Sequence, residues 1–126
     1  MTTWTSEALD RIGRADEMRI TPDRADGTSG STVPIWVVRD GDDLYIRSYR
    51  GQNGAWYRAA RAALCGHITA GGIDTDVTLT PQTDPAVNER VDAAYRTKYG
   101  QYGDAYTGPM TADTARATTL KLTPRD

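Results

Sequence analysis

The sequence contains very little cysteine and histidine: Cys65 and His67 are the only residues of each type among 126. A single cysteine excludes an intrachain disulfide, and one cysteine with one histidine cannot supply the ligands of a typical zinc site. The two residues follow a predicted helix end, where they need not face each other as a nucleophile and its base. We therefore expect no metal site here.

The sequence also lacks a long apolar run and a large excess of either charge. No stretch approaches the length that spans a bilayer, and the first residues have neither the basic nor the apolar region of a signal peptide. Fifteen basic and seventeen acidic residues give a formal net charge of −2. Nucleic acid and membranes are therefore not expected as partners, and a cytoplasmic location is the default expectation.

The length and composition are those of one globular domain, with 38% hydrophobic and 25% charged residues. We expect a single domain over residues 1–126. A helix from Ser6 to Arg14, capped by Thr5, is predicted to form an N-terminal helical arm over residues 1–16. The strands, which we expect to form a barrel, and the remaining helices are expected to occupy residues 17–123.

Two β-hairpins are the clearest structural signal. The segment VPIWVVRDGDDLYIRSY consists of two strand-forming runs around a turn from Asp40 to Asp42. The segment HITAGGIDTDVTLT has the same pattern around Gly71 and Gly72. Further strands are predicted at EMRITP, which Pro22 closes, and at TTLKLTP near the end of the chain.

Two further helices are predicted from caps and apolar spacing. One runs over about residues 54–64, with Asn53 as its cap and Gly66 as its stop. The other begins at Asp84, which is followed by a proline in the first turn, and ends at Gly100. Its apolar residues recur at helical spacing.

Counting gives five or six strands and about three helices, with neighbouring strands joined mostly by hairpins. This order predicts an α+β domain with an antiparallel sheet or small barrel that carries helices. Val87 and Val91, on the apolar side of the last long helix, are expected to be buried.

The stretch YIRSYRGQNGAWYRAA, residues 45–60, combines arginines, a glycine-rich loop and a Trp-Tyr pair. Backbone N–H groups at the start of a helix bind anions, and guanidinium binds phosphate bidentately. The aromatic pair could flank a planar ring, so the set fits a nucleotide-like ligand. The alternative is a surface hairpin with Trp56 in the core and its arginines in solvent.

A second cluster is rich in tyrosine, in a chain with seven tyrosines and no phenylalanine. Tyr95, Tyr99, Tyr102 and Tyr106 lie in and just after the last long helix. Each brings a ring that stacks and a hydroxyl that hydrogen-bonds or donates a proton. The alternative makes Tyr95 a core residue and the others a rim.

The order of these segments resembles the deazaflavin-dependent nitroreductase group of the FMN-binding split-barrel superfamily. The motifs are PIWVVRDGDDLYIRSYRG and GAWYRAA, followed by a short hairpin and a helix. Over about residues 17–107 the chain looks most like a family of small bacterial proteins of unassigned function. The resemblance implies a single-domain split β-barrel. Split barrels often pair with the ligand between subunits, so a homodimer is one expected state.

The resemblance also implies a site for deazaflavin or FMN, and an oxidoreductase that delivers hydride to a small organic acceptor. The resemblance implies that Ser48, Tyr49, Arg50 and Gly51 form the cofactor loop, with Trp56 and Tyr57 behind it. The anion-binding interpretation of the same stretch adds Arg47, Asn53 and Gly54 to the predicted cofactor-binding residues. Tyr99 or Tyr102 would supply a proton. The substrate side would include Trp36, Tyr95 and Tyr106.

The sequence departs from the nitroreductase pattern at three places. Tyr49 stands where lysine is usual, and Arg58 begins a segment where asparagine is usual. The upstream loop DGTSG lacks an arginine, which leaves Arg24 as a displaced substitute. Each change removes a polar contact to a cofactor. The alternative function is therefore a cofactor-free small-molecule-binding protein, or an isomerase or cyclase, that uses the barrel pocket.

Overall fold

Seven strands form the sheet at the centre of the computed structural model, which describes residues 3–23 and 31–125. The strands are β1 (Met18–Pro22), β2 (Val33–Ile35), β3 (Val37–Asp40), β4 (Asp43–Ile46), β5 (Cys65–Ala70), β6 (Ile73–Pro81) and β7 (Leu120–Pro124). The helices are α1 (Ser6–Arg14), α2 (Ala55–Ala63), α3 (Pro85–Tyr99), α4 (Asp104–Thr111) and α5 (Asp113–Arg116), with 3-10 turns at Gly51–Asn53 and Gly100–Tyr102.

The sheet is antiparallel throughout its paired strands, in the order β2-β1-β5-β6-β7-β4-β3. Its two edge strands, β2 and β3, are consecutive in the chain, with Trp36 alone between them. Both edges therefore meet at one residue, and the sheet curves into a nearly closed barrel. The predicted α+β split barrel is confirmed.

Both predicted hairpins form with two-residue turns. Asp40 pairs with Asp43 in the first hairpin, and Ala70 pairs with Ile73 in the second. The second turn needs glycine for two reasons. Gly71 has a φ of 57°, and a Cβ there would lie 2.3 Å from the backbone oxygen of Arg11. The turn therefore packs closely against α1.

Local caps explain the starts of α1 and α3. The hydroxyl of Thr5 accepts a hydrogen bond from the N–H of Ala8 (3.1 Å), and the carboxylate of Asp84 accepts one from the N–H of Ala86 (2.9 Å). Both helices have the predicted bounds.

The predicted span of α2 is correct to within one residue at each end, but its predicted cap and stop are wrong. Gly54, not Asn53, is the residue before the helix, and Leu64 ends it in a left-handed conformation (φ 57°). Gly66 instead lies in β5, where a Cβ would approach the backbone oxygen of Thr21 to 2.8 Å. Gly66 therefore allows β5 to pack closely against β1, and it does not end the helix.

Two apolar clusters hold the elements together. The first fills the barrel and includes Ile12, Met18, Ile20, Ile46, Ile68, Val77, Leu79, Leu120 and Leu122. The second joins α3 to the outside of β3 and β4 and consists of Val38, Tyr45, Val91, Tyr95, Tyr99 and Met110. Val91 is buried as predicted, whereas Val87 is only partly buried at the edge of the second cluster.

The sequence did not predict α4 and α5, which lie between α3 and β7. Gly108 and Pro109 inside α4 weaken the helical signal there. Met110 at the end of α4 contributes to the second cluster. Among the described helices, none has the length and apolar character needed to cross a membrane.

Candidate functional site

A cavity of about 330 Å³ lies at the junction of β2 with β3, next to the end of β4. Its lining residues are Pro34, Ile35, Trp36, Arg47, Tyr49, Trp56 and Met110. We call it the tryptophan cavity. Four of these residues were predicted site residues. The sequence analysis missed the apolar ones, because proline, isoleucine and methionine carry no chemical signal of their own.

One wall of the cavity is the indole of Trp36, which is held by stacking. Its ring lies parallel to that of Tyr99, with centroids 3.8 Å apart and an interplanar angle of 2°. Tyr102 is tilted against both rings, at 6.0 Å from Trp36 and 6.2 Å from Tyr99. Trp36, a predicted substrate-side residue, therefore forms one cluster with Tyr99 and Tyr102, the two predicted proton donors, and we call this cluster the aromatic stack.

Trp56 lies in the first turn of α2 and forms another part of the wall. It contacts Tyr57 edge-on, with centroids 6.0 Å apart and planes at 90°. Tyr57 itself is buried in the barrel core and does not line the cavity. Of the predicted Trp-Tyr pair, only the tryptophan is placed to contact a ligand in this cavity.

Arg47 is 1% exposed, and its five N–H groups are all used within the protein. Nε donates to the hydroxyl of Thr119 (2.9 Å), and Nη1 donates to Oδ1 of Asp92 (2.5 Å) and to the backbone oxygen of Met110 (2.9 Å). Nη2 donates to both the backbone and the side-chain oxygen of Asn88 (3.1 Å each).

These bonds join β4 to α3, α4 and the residue before β7. The guanidinium has no N–H left for a phosphate, so the structure shows a structural role for Arg47, and its role in cofactor binding stays a prediction. The sequence could not show this, because Asn88 and Asp92 lie far along the chain from Arg47.

Ser48 is buried, and its Oγ has no hydrogen-bond partner among the described residues. Its backbone N–H donates to the hydroxyl of Thr118 (2.8 Å). The Oγ lies against Gly54 at the start of α2, where a Cβ would approach it to 2.6 Å. A buried hydroxyl without a partner is costly, and this one lies against Gly54, the residue that precedes α2.

The rest of the predicted loop is split between surface and interior. Tyr49 is 59% exposed and Arg50 is also exposed, so Arg50 is a loop cation that solvent can reach. Gly51 is buried, with a φ of 65° that favours glycine. Asn53 lies in the 3-10 turn, and its side chain is outside the described part of the structure.

Tyr99 is not placed as a free proton donor. Its hydroxyl lies 2.9 Å from the backbone oxygen of Asp16 and 3.2 Å from that of Val37, and it accepts a hydrogen bond from the N–H of Val37 (3.3 Å). Burial raises the pKa of the Tyr99 hydroxyl. The predicted catalytic tyrosine therefore stabilises the edge of β3 and positions Trp36.

The other tyrosines differ in exposure. Tyr95 is fully buried beneath the guanidinium of Arg47, 5.4 Å from its ring, and burial raises the pKa of its hydroxyl. This is the core role of the alternative interpretation. Tyr102 is exposed at the rim of the stack, and its predicted catalytic role stays a prediction. The side chain of Tyr106 lies outside the described part of the chain.

Lys98 is a polar residue of this region that the sequence analysis missed. Its Nζ donates to the backbone oxygen of Val37 (2.6 Å) and lies 5.0 Å from the ring centre of Tyr99. Burial lowers the pKa of the Lys98 amine to about 8. A lone lysine at a helix end has no distinguishing sequence signal.

The barrel, with an aromatic cavity beside a glycine-rich loop, defines a split-barrel protein. The chain belongs to the bacterial family DUF2255, described as "Uncharacterized protein conserved in bacteria", whose family model matches residues 8–122. This confirms the predicted resemblance to a small bacterial family of unassigned function. No curated protein sequence matches the chain.

Solved structures share the fold at low sequence identity. An F420-H2-dependent reductase is 16% identical, with a TM-score of 0.61 over 86% of this chain and 93% of its own. The heme storage protein HutZ from Vibrio cholerae is 9% identical, with a TM-score of 0.65 over 95% and 89%. An FAD and heme binding protein from Mycobacterium smegmatis is 20% identical, with a TM-score of 0.54 over 94% and 65%. Because their names include different ligands, the shared fold does not identify the ligand.

Proposed function

We propose that this protein binds a flavin-type ring in the tryptophan cavity and acts as an oxidoreductase on a small organic acceptor. The observation that carries this proposal is the cavity itself, about 330 Å³ in volume, with Trp36 and Trp56 in its walls. Ligand pockets range over about 300–1,000 Å³, so this one has room for a ring system rather than for a whole phosphorylated cofactor. Bound flavin or deazaflavin would supply hydride-transfer chemistry.

The residues fit the ring of such a cofactor better than its phosphate. Apolar walls and a stacked indole suit a planar ring and exclude water. Arg47 has no free N–H, which leaves Arg50 and the start of α2, where Gly54 provides no side-chain cap. We propose that these groups hold the phosphate outside the cavity, together with the hydroxyl of Ser48.

The first test is a titration of the purified protein with FMN, riboflavin and oxidised or reduced deazaflavin, followed by tryptophan fluorescence. We expect saturable quenching, and we expect Trp36→Phe and Trp56→Phe each to remove part of it. Trp4→Phe is the matched control, because Trp4 bonds the backbone of Leu122 and does not line the cavity. Absence of saturable quenching by every one of these compounds would contradict the proposal.

The second test separates phosphate from ring by comparing FMN with riboflavin. We expect Arg50→Ala to weaken FMN binding by about 1.5–3 kcal/mol, the usual loss for a charged hydrogen bond, and to leave riboflavin binding unchanged. Arg58→Ala, an exposed arginine on α2, is the control. Equal affinities of FMN and riboflavin would show that no phosphate is held.

A second candidate function is a cofactor-free protein that binds, or isomerises, an apolar metabolite. This function is favoured because the guanidinium of Arg47 and the hydroxyl of Tyr99 form hydrogen bonds within the protein and are not free to bind a polar ligand. The cavity then offers mainly apolar contact. In this case Arg50→Ala would be silent for every ligand, whereas Tyr102→Phe would change affinity or turnover.

A further inference from the structure

A second cavity, of about 350 Å³, shares Trp36 with the tryptophan cavity but none of its other lining residues. Its lining residues are Asp16, Glu17, Trp36 and Tyr102. Two acidic residues thus line the same space as two residues with electron-rich rings. We call it the acidic aromatic cavity.

The carboxylates of this cavity lack an ion-pair partner among the described residues. Neither Asp16 nor Glu17 forms an ion pair within the described part of the chain, and both side chains are exposed. Asp16 is fixed through its backbone, since its carbonyl accepts the hydrogen bond of Tyr99. Both carboxylates also act on the hydroxyl of Tyr99, whose pKa they raise further. The negative charge therefore lies beside the aromatic stack.

Lys98 is a cation of this region, and burial lowers the pKa of its amine while the charge of Asp16 raises it. Lys98 lies against the ring of Tyr99 and donates to the backbone oxygen of Val37, and it does not line this cavity. Its ammonium group therefore leaves the space between the carboxylates and Trp36 to a ligand.

The aromatic side of the cavity is built from rings that pack on one another. Trp36 is held parallel to Tyr99 at 3.8 Å, and Tyr102 is tilted 32° against Trp36. Indole attracts cations most strongly among the aromatic side chains, and tryptophan and tyrosine walls are typical of sites for quaternary ammonium ligands. A wall that is already ordered loses little entropy on binding.

We propose that the acidic aromatic cavity binds an organic cation, either a quaternary ammonium or a protonated amine. Trp36 and Tyr102 contact its alkyl groups, and Asp16 and Glu17 supply the opposite charge. Carboxylates disfavour an anionic ligand, and a neutral ligand would gain no charge–charge attraction from them. This inference does not depend on which ligand occupies the tryptophan cavity.

The test compares choline with 3,3-dimethyl-1-butanol, which has the same shape without the charge. Both are titrated against the full chain by calorimetry and by tryptophan fluorescence. We expect saturable binding of choline that weakens with added salt, and no saturable binding of the alcohol. Equal binding of both compounds, or binding of neither, would overturn the proposal.

Variants locate the bound cation. Asp16→Asn, Glu17→Gln and Tyr102→Ala are each expected to weaken choline binding roughly 2- to 5-fold, the range of an exposed cation–aromatic or charge contact. Tyr102→Phe keeps the ring and is expected to keep most of the affinity. Glu7→Gln, an exposed carboxylate on α1, is the matched control. Choline binding that all three variants leave unchanged would overturn the assignment.

The outcome of the choline titration can be interpreted separately from the outcome of the flavin titration. Trp56→Phe alters only the tryptophan cavity, so it is expected to reduce flavin quenching without changing choline affinity. Failure of flavin binding with intact choline binding would reject the proposed function alone. Failure of choline binding with intact flavin binding would reject the acidic aromatic cavity alone.

Discussion

At the residue scale, the stability of the fold depends strongly on Arg47. A buried charge is tolerated only when a counter-ion is close and its N–H groups are paired. Asp92 supplies the counter-ion, and Asn88 supplies two of the acceptors. Arg116 also lies 3.4 Å from the second oxygen of Asp92, so the buried carboxylate is held from two sides.

Replacing Arg47 should destabilise the protein more than replacing any exposed arginine. We expect Arg47→Met to lower the free energy of unfolding by about 3 kcal/mol or more, because Asp92 is left buried beside a single weaker partner. Arg50→Ala is the control and should change the free energy of unfolding by less than about 0.5 kcal/mol. Urea unfolding measures both. A loss below about 1 kcal/mol for Arg47→Met would contradict the structural role.

Ser48 offers a second prediction, in which stability and binding change in opposite directions. Removing a buried hydroxyl without a partner relieves its desolvation cost, so Ser48→Ala is expected to raise the free energy of unfolding by about 1 kcal/mol. The same variant should weaken FMN binding if the hydroxyl contacts the phosphate.

The position of Gly54 tests the same contact. Gly54→Ala should destabilise the protein, because its Cβ would meet the Oγ of Ser48 at 2.6 Å, and the loss should shrink in the Ser48→Ala background. Urea unfolding of the two single variants and the double variant measures this coupling. Additive effects would show that the hydroxyl does not crowd Gly54.

At the element scale, the hairpins, α1 and α3 could be predicted because their signals are local. Turn glycines and capping side chains lie within a few residues of the elements they define. The end of α2 could not be predicted, because Leu64 adopts a left-handed conformation for which the sequence contains no signal. The site was predictable in part: the aromatic residues were found, but the partners of Arg47 are set by tertiary contacts.

The β5–β6 hairpin carries the pH dependence that the structure predicts. His67 on β5 lies directly opposite Asp76 on β6, with Nδ1 2.7 Å from its carboxylate, and its Nε2 contacts Asp74. Both ring nitrogens face acceptors, which favours the doubly protonated ring. Hydrogen bonds to Asp76 and then to Asp74 raise the pKa of His67 in the folded protein.

The sign of the effect follows from this raised pKa. The stabilisation is fully present below the unfolded pKa of about 6.5 and is lost as pH rises through the folded value. We expect it to be at most about 1 kcal/mol, since the side chains are exposed. NMR titration of the ring protons measures the pKa, and urea unfolding at several pH values measures the stability. His67→Gln should remove the dependence of stability on pH. An unshifted pKa of His67 in the folded protein would contradict the prediction.

At the scale of the whole molecule, the tryptophan cavity opens beside Tyr49, which is 59% exposed. Aromatic residues, tyrosine among them, are enriched in the interfaces between protein subunits. We propose that a second copy of the chain covers this mouth and completes the site for the larger part of a cofactor.

If a second copy completes the site, the mass of the protein in solution and its affinity for FMN should change together. Light scattering coupled to size exclusion should give twice the chain mass of 13.8 kDa. Tyr49→Glu places a charge at the interface, so it should shift the protein toward the monomer and weaken FMN binding at the same protein concentration. Asp42→Lys changes an exposed turn residue that does not line the cavity and should leave both unchanged. A monomeric mass for the unaltered protein, with FMN bound at full affinity, would show that one chain forms the entire site.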